Sequence, residues 1–291
     1  MIVHKRLGRA WDRLAARTRV HLAKPSPHPP NLDEDVVISL TTYPARIATV
    51  HRTVISLLMQ RHIAKIVLYL ATDDFPQGTQ NLPKRLTHLV ESFPNLVLLR
   101  WVNQNTRSYK KLLPALAEYG ERTIVTADDD VLYDATWLSR LLQASRDNPG
   151  VVIGTRGNEM ISDASGHIRP YSSWPEAAAN TPSFATFLTG RGGILYPSGS
   201  LAPPVADVGL ALQLAPTADD VWFKAATIRA GFPSMRVPIR RDYPSSGASQ
   251  EDGLFKVNVN NRANDAAIKA VFDHFRLTVP RDAYLESTDE N

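Results

Sequence analysis

An apolar strand runs directly into three carboxylates in the stretch Thr-Ile-Val-Thr-Ala-Asp-Asp-Asp-Val, residues 123–131. In an extended chain, residues i and i+2 project to the same face, so Asp128 and Asp130 are expected to converge while Asp129 points elsewhere. Adjacent carboxylates repel each other, and a bound divalent cation removes that repulsion. Oxygen ligands favour Mg²⁺, Mn²⁺ or Ca²⁺ over zinc, which predicts a metal site at Asp128 and Asp130. The alternative is a solvated turn or a helix N-cap, because Asp134 opens the next helix.

Strands and helices alternate on both sides of this stretch. Strands are predicted at Val36–Thr41, Lys65–Ala71, Leu96–Val102 and Thr123–Ala127. Helices are predicted at Arg46–Gln60, Leu82–Ser92, Arg107–Tyr119 and Ala135–Ala144. Strands separated by helices indicate parallel pairing through right-handed crossovers. The pattern therefore predicts an α/β fold with a Rossmann-like, mostly parallel central sheet, whose ligands bind at the carboxyl ends of the strands. From Val151 onward the chain is rich in Gly, Pro and aromatic residues, which predicts an irregular C-terminal half.

The amino-acid composition argues against a disulfide-bonded, membrane-spanning or secreted protein. The chain has 291 residues, of which 43% are hydrophobic, and this is enough for one large core. The absence of cysteine excludes disulfides and thiolate metal sites and favours a cytoplasmic location. No apolar run approaches the roughly 20 residues of a membrane span. No secretory signal is recognised, since the basic N-terminus lacks an apolar segment.

The positive charge is concentrated at the N-terminus. Residues 1–24 hold seven basic residues and one acidic residue, although the whole chain has a net charge of only +4. Residues 4–22 are predicted to form a basic amphipathic helix that lies on an anionic membrane at its cytoplasmic face. The alternatives are a helix packed on the body and a solvated tail. The rest of the chain carries no recognised nucleic-acid motif, so no nucleic-acid partner is expected. The predicted organisation is an extension with a Pro-rich linker (1–32), a catalytic domain (33–276) and a tail (277–291).

The triple-Asp motif resembles the Asp-x-Asp motif of GT-A glycosyltransferases, since it follows an apolar strand within an α/β half. The resemblance implies that Asp128 and Asp130 hold Mn²⁺ or Mg²⁺ against the diphosphate of a nucleotide-sugar donor. It also implies an acceptor-binding C-terminal half, and it places the chain in polysaccharide biosynthesis. The expected partners are a UDP-sugar, as the commonest donor of such enzymes, and a glycan or lipid-linked acceptor.

A second motif is Ala-Asp-Asp-Val-Trp-Phe at residues 218–223. It is similar to the acidic pair that opens a helix in inverting GT-A enzymes, including the Fringe-like β-1,3-glycosyltransferases. The resemblance implies that Asp220 deprotonates the acceptor, with Asp219 in place of the usual Glu, and that Trp222 contributes to the substrate site. The alternative is a capping box, in which Thr217 caps the helix and Asp220 takes the place of Glu or Gln.

The order of motifs implies further site residues. The glycine-rich stretch before the acidic pair resembles a loop that approaches the sugar, which implies substrate binding by Gly190, Arg191, Gly192 and Gly193. Nucleotide contacts are expected from side chains at the strand ends and before the third helix, namely Thr42, Tyr43, Arg46, Asp73, Asp74, Lys110 and Asp129. The alternatives are polar loops and, for Lys110, a solvated helix start. His274 is the candidate third metal ligand, and a packed core histidine is the alternative.

Two other classes of protein compete with this interpretation. A metal-dependent phosphohydrolase also uses an Asp-x-Asp motif, but it places the motif after the first strand, which here ends in Thr41-Thr42-Tyr43. A non-catalytic sugar- or nucleotide-binding protein of the same fold would have no need of both acidic clusters. Measurement of donor hydrolysis with Mn²⁺ separates the enzyme from the binding protein.

Overall fold

The computed structural model describes residues 32–238, 243–244 and 263–279. The predicted basic helix at residues 4–22 and the Pro-rich linker lie outside these residues. Within them the chain forms two compact units, which are described separately. Unit 1 comprises residues 32–105, 110–142 and 243–244. Unit 2 comprises residues 106–109, 143–238 and 263–279.

The fold is mixed α/β, with seven strands in a mostly parallel central sheet among the described residues, as the sequence predicts. Unit 1 contributes four of these strands in the order β4-β1-β2-β3, and all three pairs are parallel. They are β1 (Leu32–Thr41), β2 (Ile63–Ala71), β3 (Val97–Val102) and β4 (Thr123–Ala127). The apolar runs of β1, β2 and β4 are buried, which is typical of parallel strands covered on both faces, whereas β3 at the end of this order buries only Val97.

The first three helices of unit 1 occupy the connections between these strands, and the fourth follows β4 in the chain. They are α1 (Ile47–Leu58), α2 (Lys84–Ser92), α3 (Leu113–Tyr119) and α4 (Trp137–Asp147), which runs on into unit 2. Helix α1 buries the predicted apolar stripe that includes Val50, Val54 and Leu57. The short strand β5 (Val131–Leu132) pairs antiparallel with β11 (Tyr243–Pro244).

One helix prediction is wrong in its extent. The segment predicted as a single helix is a 3₁₀ turn at Arg107–Lys111, followed by α3, which begins only after Leu112. Pro114 lies in the first turn of α3, where its missing N–H is tolerated. Arg107 has φ = 55°, so the turn starts from a left-handed residue that a continuous helix excludes. Lys110 and Lys111 therefore lie in the 3₁₀ turn and not in a regular α-helix.

The strands of unit 2 are short, with three residues each, as the irregular sequence pattern predicts. Its strands are β6 (Val152–Gly154), β7 (Gly157–Glu159), β8 (Thr186–Leu188), β9 (Ile194–Tyr196) and β10 (Ser234–Arg236). Its helices are α5 (Val208–Leu214), α6 (Asp219–Arg229) and α7 (Ala263–Phe275). Strand β6 pairs parallel with β10 and antiparallel with β9, while β7 and β8 form a separate antiparallel pair. In the part of the chain that is described, no helix combines the length and the apolar character needed to cross a membrane.

Candidate functional site

The triple-Asp motif lies beside the first strand because β1 and β4 are neighbours in register. Leu40 is paired with Ala127, so the residues that follow both strands emerge at the same edge of the sheet. Asp129 is buried there, with 5% of its surface exposed. Its carboxylate accepts hydrogen bonds from the Thr42 hydroxyl at 2.5 Å and from Arg46 Nη1 at 2.8 Å. Three residues predicted to bind nucleotide are thus joined to one another within unit 1.

Arg46 connects two of the three aspartates. Its Nη1 lies 2.8 Å from Asp129 Oδ1 and 3.3 Å from Asp130 Oδ2. Burial opposes the charge of this guanidinium, but the two carboxylates outweigh it and raise the pKa of Arg46. Burial raises the pKa of the Asp129 carboxyl, although Arg46 and Thr42 favour its charged form. The half-exposed ring of Tyr43 lies 5.4 Å from the guanidinium carbon, a cation–π distance.

Asp128 has different neighbours. Its side chain lies 3.5 Å from Lys111 Nζ, and its backbone N–H donates to the hydroxyl of Tyr133 at 2.8 Å. The side chains of Asp128 and Asp130 are 24% and 22% exposed. The structure therefore places two solvent-accessible carboxylates on either side of a buried one, each accessible carboxylate next to a basic side chain. Tyr133 was not identified from the sequence, where an aromatic residue after the motif gives no signal of a contact with it.

A second polar group forms after β2 and β3. Lys110 is 2% exposed, and its Nζ donates to Asp74 Oδ2 and to Asn105 Oδ1, each at 2.9 Å. Asn105 also donates to both predicted acids, through its side chain to Asp74 at 2.8 Å and through its backbone N–H to Asp73 at 3.2 Å. Lys110 is therefore a buried ion-pair partner rather than a solvated helix start, and Asp73 remains at the surface. Asn105 was missed because no sequence motif marks it.

In unit 2 the second acidic pair opens α6. Asp219 and Asp220 are its first two residues, and Ala218 occupies the N-cap position. Because alanine has no side-chain acceptor, the capping box with Thr217 as the cap is not formed. Both carboxylate oxygens of Asp220 instead accept from the backbone N–H of Gly190, at 3.0 and 3.1 Å.

The glycine-rich loop has the backbone that its sequence requires. Gly192 and Gly193 have φ values of 91° and 97°, which side-chain-bearing residues rarely adopt. A Cβ on Gly192 would lie 2.2 Å from the hydroxyl of Thr155. The N–H of Gly193 donates to the carbonyl of Gly190 and closes the turn that holds Asp220, while Arg191 between them is exposed.

Two other predicted site residues lie in different surroundings. Trp222 is 1% exposed, and its indole N–H donates to the carbonyl of Val205, so it packs in the core of unit 2. This burial does not support a direct substrate contact. His274 is exposed on α7, with its ring 4.8 Å from that of Phe275, and is not a packed core histidine. Over the described residues, no three His, Cys, Asp or Glu side chains gather as a metal-binding group, so the geometry gives His274 no support as a third ligand.

Comparison with known proteins does not assign the chain to a family. No protein-family model and no curated protein matches the chain. Among solved structures, it is similar to the crystal structure of 4-diphosphocytidyl-2C-methyl-D-erythritol synthase, with 12% sequence identity and a TM-score of 0.42. The similarity covers 77% of this chain and 98% of that one. The mixed α/β fold and its mostly parallel central sheet rest on the strand pairing of the chain itself, and this similarity adds nothing to them.

Proposed function

We propose that the protein is a metal-dependent GT-A glycosyltransferase, which moves a sugar from a nucleotide sugar, with UDP as the expected nucleotide, to a hydroxyl of a glycan or lipid-linked acceptor. The observation that carries the proposal is the pair of accessible carboxylates, Asp128 and Asp130, at the carboxyl end of a central parallel strand. This edge is where open α/β sheets bind their ligands.

The donor atoms at this edge fit Mg²⁺ or Mn²⁺. Mg²⁺ is commonly bound through one or two carboxylates, with water and substrate phosphate oxygens as the other ligands. Asp128 and Asp130 supply two such carboxylates, and Asp129 is engaged by Thr42 and Arg46. When bound, the ion supplies positive charge that neutralises a nucleoside diphosphate leaving group.

The remaining roles are proposed for one carboxylate in each unit. Asp73 presents an exposed carboxylate after β2 and is the proposed acceptor for a nucleobase N–H. Asp220 is the proposed general base, which removes the proton from the acceptor hydroxyl as its oxygen attacks the sugar. The N–H of Gly190 donates to both oxygens of that carboxylate, which favours its charged form. In-line attack with such a base inverts the anomeric centre.

The proposal is tested by thermal unfolding with UDP and Mn²⁺, added separately and together. A ligand at 100 times its dissociation constant stabilises the folded state by about 2.7 kcal/mol. We expect a rise in Tm that requires both components and disappears in Asp130→Ala. The matched control is Glu91→Ala, which removes an exposed carboxylate of α2 and keeps the rise. No rise with any nucleoside diphosphate and metal, or an equal rise in Asp130→Ala, contradicts the proposal. Release of UDP from a UDP-sugar then separates an enzyme from a binding protein.

A further inference from the structure

Arg46 serves two carboxylates through a single nitrogen. Its Nη1 lies 2.8 Å from Asp129 and 3.3 Å from Asp130. The first carboxylate is buried and the second is accessible to solvent. One cation therefore contacts both an internal acid and one of the two acids that are proposed to bind metal.

The two contacts of Arg46 differ in how firmly they are held. Asp129 also accepts from the Thr42 hydroxyl, and its backbone carbonyl accepts from the Thr53 hydroxyl at 2.9 Å. Removing Arg46 from this buried carboxylate would leave a charge in a poorly solvated place, which is unfavourable. The contact with Asp130 is longer, and water can replace it at low cost. The Asp130 contact is thus the exchangeable one.

We propose that Arg46 is the internal counter-cation of this cluster: it binds Asp129 in all states and occupies Asp130 until a divalent cation takes that carboxylate. This inference rests on the proposed function. Arg46 then keeps the strand end ordered without metal, and it competes with the metal ion for Asp130. The N–H released from Asp130 is a donor for an anionic oxygen, such as one of a nucleoside diphosphate.

The competing explanation is that Arg46 only stabilises the fold through Asp129. The two explanations predict different affinities for Mn²⁺ in the absence of nucleotide. A purely structural arginine leaves the affinity for Mn²⁺ unchanged when Arg46 and Asp129 are neutralised together. A competing arginine weakens Mn²⁺ binding, so its removal makes that binding tighter.

The test compares Arg46→Gln/Asp129→Asn with Asp129→Asn alone. The double variant loses one charge of each sign, its two amides can still hydrogen-bond, and Asp128 and Asp130 are retained. In the single variant, Arg46 remains beside Asp130. We expect the double variant to bind Mn²⁺ about two- to fivefold more tightly than either the single variant or the wild type. This range corresponds to the free energy of one partly exposed ion pair, which no longer competes with the metal ion. Mn²⁺ affinity is measured without nucleotide, by electron paramagnetic resonance of the free ion. Arg85→Gln on the exposed face of α2 controls for a lost positive charge.

The outcomes separate this inference from the proposed function. If the wild type binds Mn²⁺, Asp130→Ala abolishes binding and the double variant has unchanged or weaker affinity, only the role of Arg46 is overturned. Equal tightening in Arg85→Gln also overturns it, because the effect is then one of net charge. Absence of Mn²⁺ binding in the wild type and in both variants overturns the role of Arg46 together with the metal site. Mn²⁺ binding that appears only in the double variant supports the competition.

Discussion

The acidic residues of the two units are neutralised in different ways. In unit 1 the carboxylates of the triple-Asp motif lie against basic side chains, with Arg46 between Asp129 and Asp130. In unit 2, Asp220 accepts from the backbone N–H of Gly190 and lies in the first turn of α6, where the helix dipole favours negative charge. A side-chain cation can be exchanged for another cation, whereas a backbone amide cannot leave. The first arrangement suits metal binding, and the second suits a fixed proton acceptor.

The largest expected effect comes from Asp220→Asn. The amide oxygen still accepts from Gly190, so the local structure is retained, but the side chain no longer accepts a proton. Turnover is expected to fall by about 10²–10⁴, the range for lost acid–base catalysis. Affinity for the nucleotide-sugar donor is expected to change little, which is measured by titration with the donor and Mn²⁺.

Two results would contradict the role of Asp220 as a fixed proton acceptor. Near-normal turnover of Asp220→Asn, together with lowered stability, shows that the carboxylate is needed only to hold the glycine-rich loop. A product with retained anomeric configuration, determined by proton NMR, removes the base from the mechanism. Asp219→Asn is the neighbouring control and is expected to affect turnover less, because its side chain leaves the helix in another direction.

The second prediction concerns stability in unit 1. In Asp129→Ala, the half-buried guanidinium of Arg46 keeps only its longer contact with Asp130, and the Thr42 hydroxyl loses its acceptor. We expect this substitution to lower the unfolding free energy by about 2–4 kcal/mol. Asp128→Ala removes an accessible carboxylate and is expected to change stability by less than about 1 kcal/mol. Urea unfolding of the metal-free proteins measures both. Equal effects of the two substitutions contradict the distinction between a buried and two accessible acids.

The smallest expected effect tests the backbone that holds Asp220. Gly192→Ala combines a positive φ with a Cβ only 2.2 Å from the hydroxyl of Thr155. Gly166 has φ = 84°, and a Cβ added there would meet nothing within 4 Å, so Gly166→Ala reports backbone strain alone. We expect Gly192→Ala to be less stable than Gly166→Ala by about 1–3 kcal/mol, the usual cost of overpacking. Equal losses in urea unfolding show that Thr155 moves aside freely.

Much of unit 1 could be predicted from the sequence because its signals are local. The strand Thr123–Ala127 has the predicted bounds, since an apolar run ends at the first charged residue. Asp129 is buried between two accessible residues, but these three residues follow the strand and enter a turn, so strand alternation is not what separates them. The bounds of the strand need only the local sequence, whereas the environment of each aspartate depends on the turn that follows.

The contacts that the sequence did not predict depend on which elements become neighbours in space. Lys110 is expected from the sequence to contact nucleotide, with a solvated helix start as the alternative, yet it is buried because the loops after β2 and β3 bring Asp74 and Asn105 to it. Trp222 follows an acidic pair and was assigned to the substrate site, whereas packing against Val205 places it in the core. The pairing of Arg46 with Asp129 likewise depends on the adjacency of β1 and β4.

The bonds around Asp129 also determine when this part of unit 1 is assembled. They join residues that are 87, 83 and 76 positions apart, through Thr42, Arg46 and Thr53. At a synthesis rate of roughly 5–20 residues per second, Arg46 leaves the ribosome about 4–17 seconds before Asp129 follows it. Contacts of such high sequence separation carry a loop-closure cost that has to be met during folding. The triple-Asp edge can therefore form only once synthesis has passed Asp130, well after its basic partner Arg46 has been made.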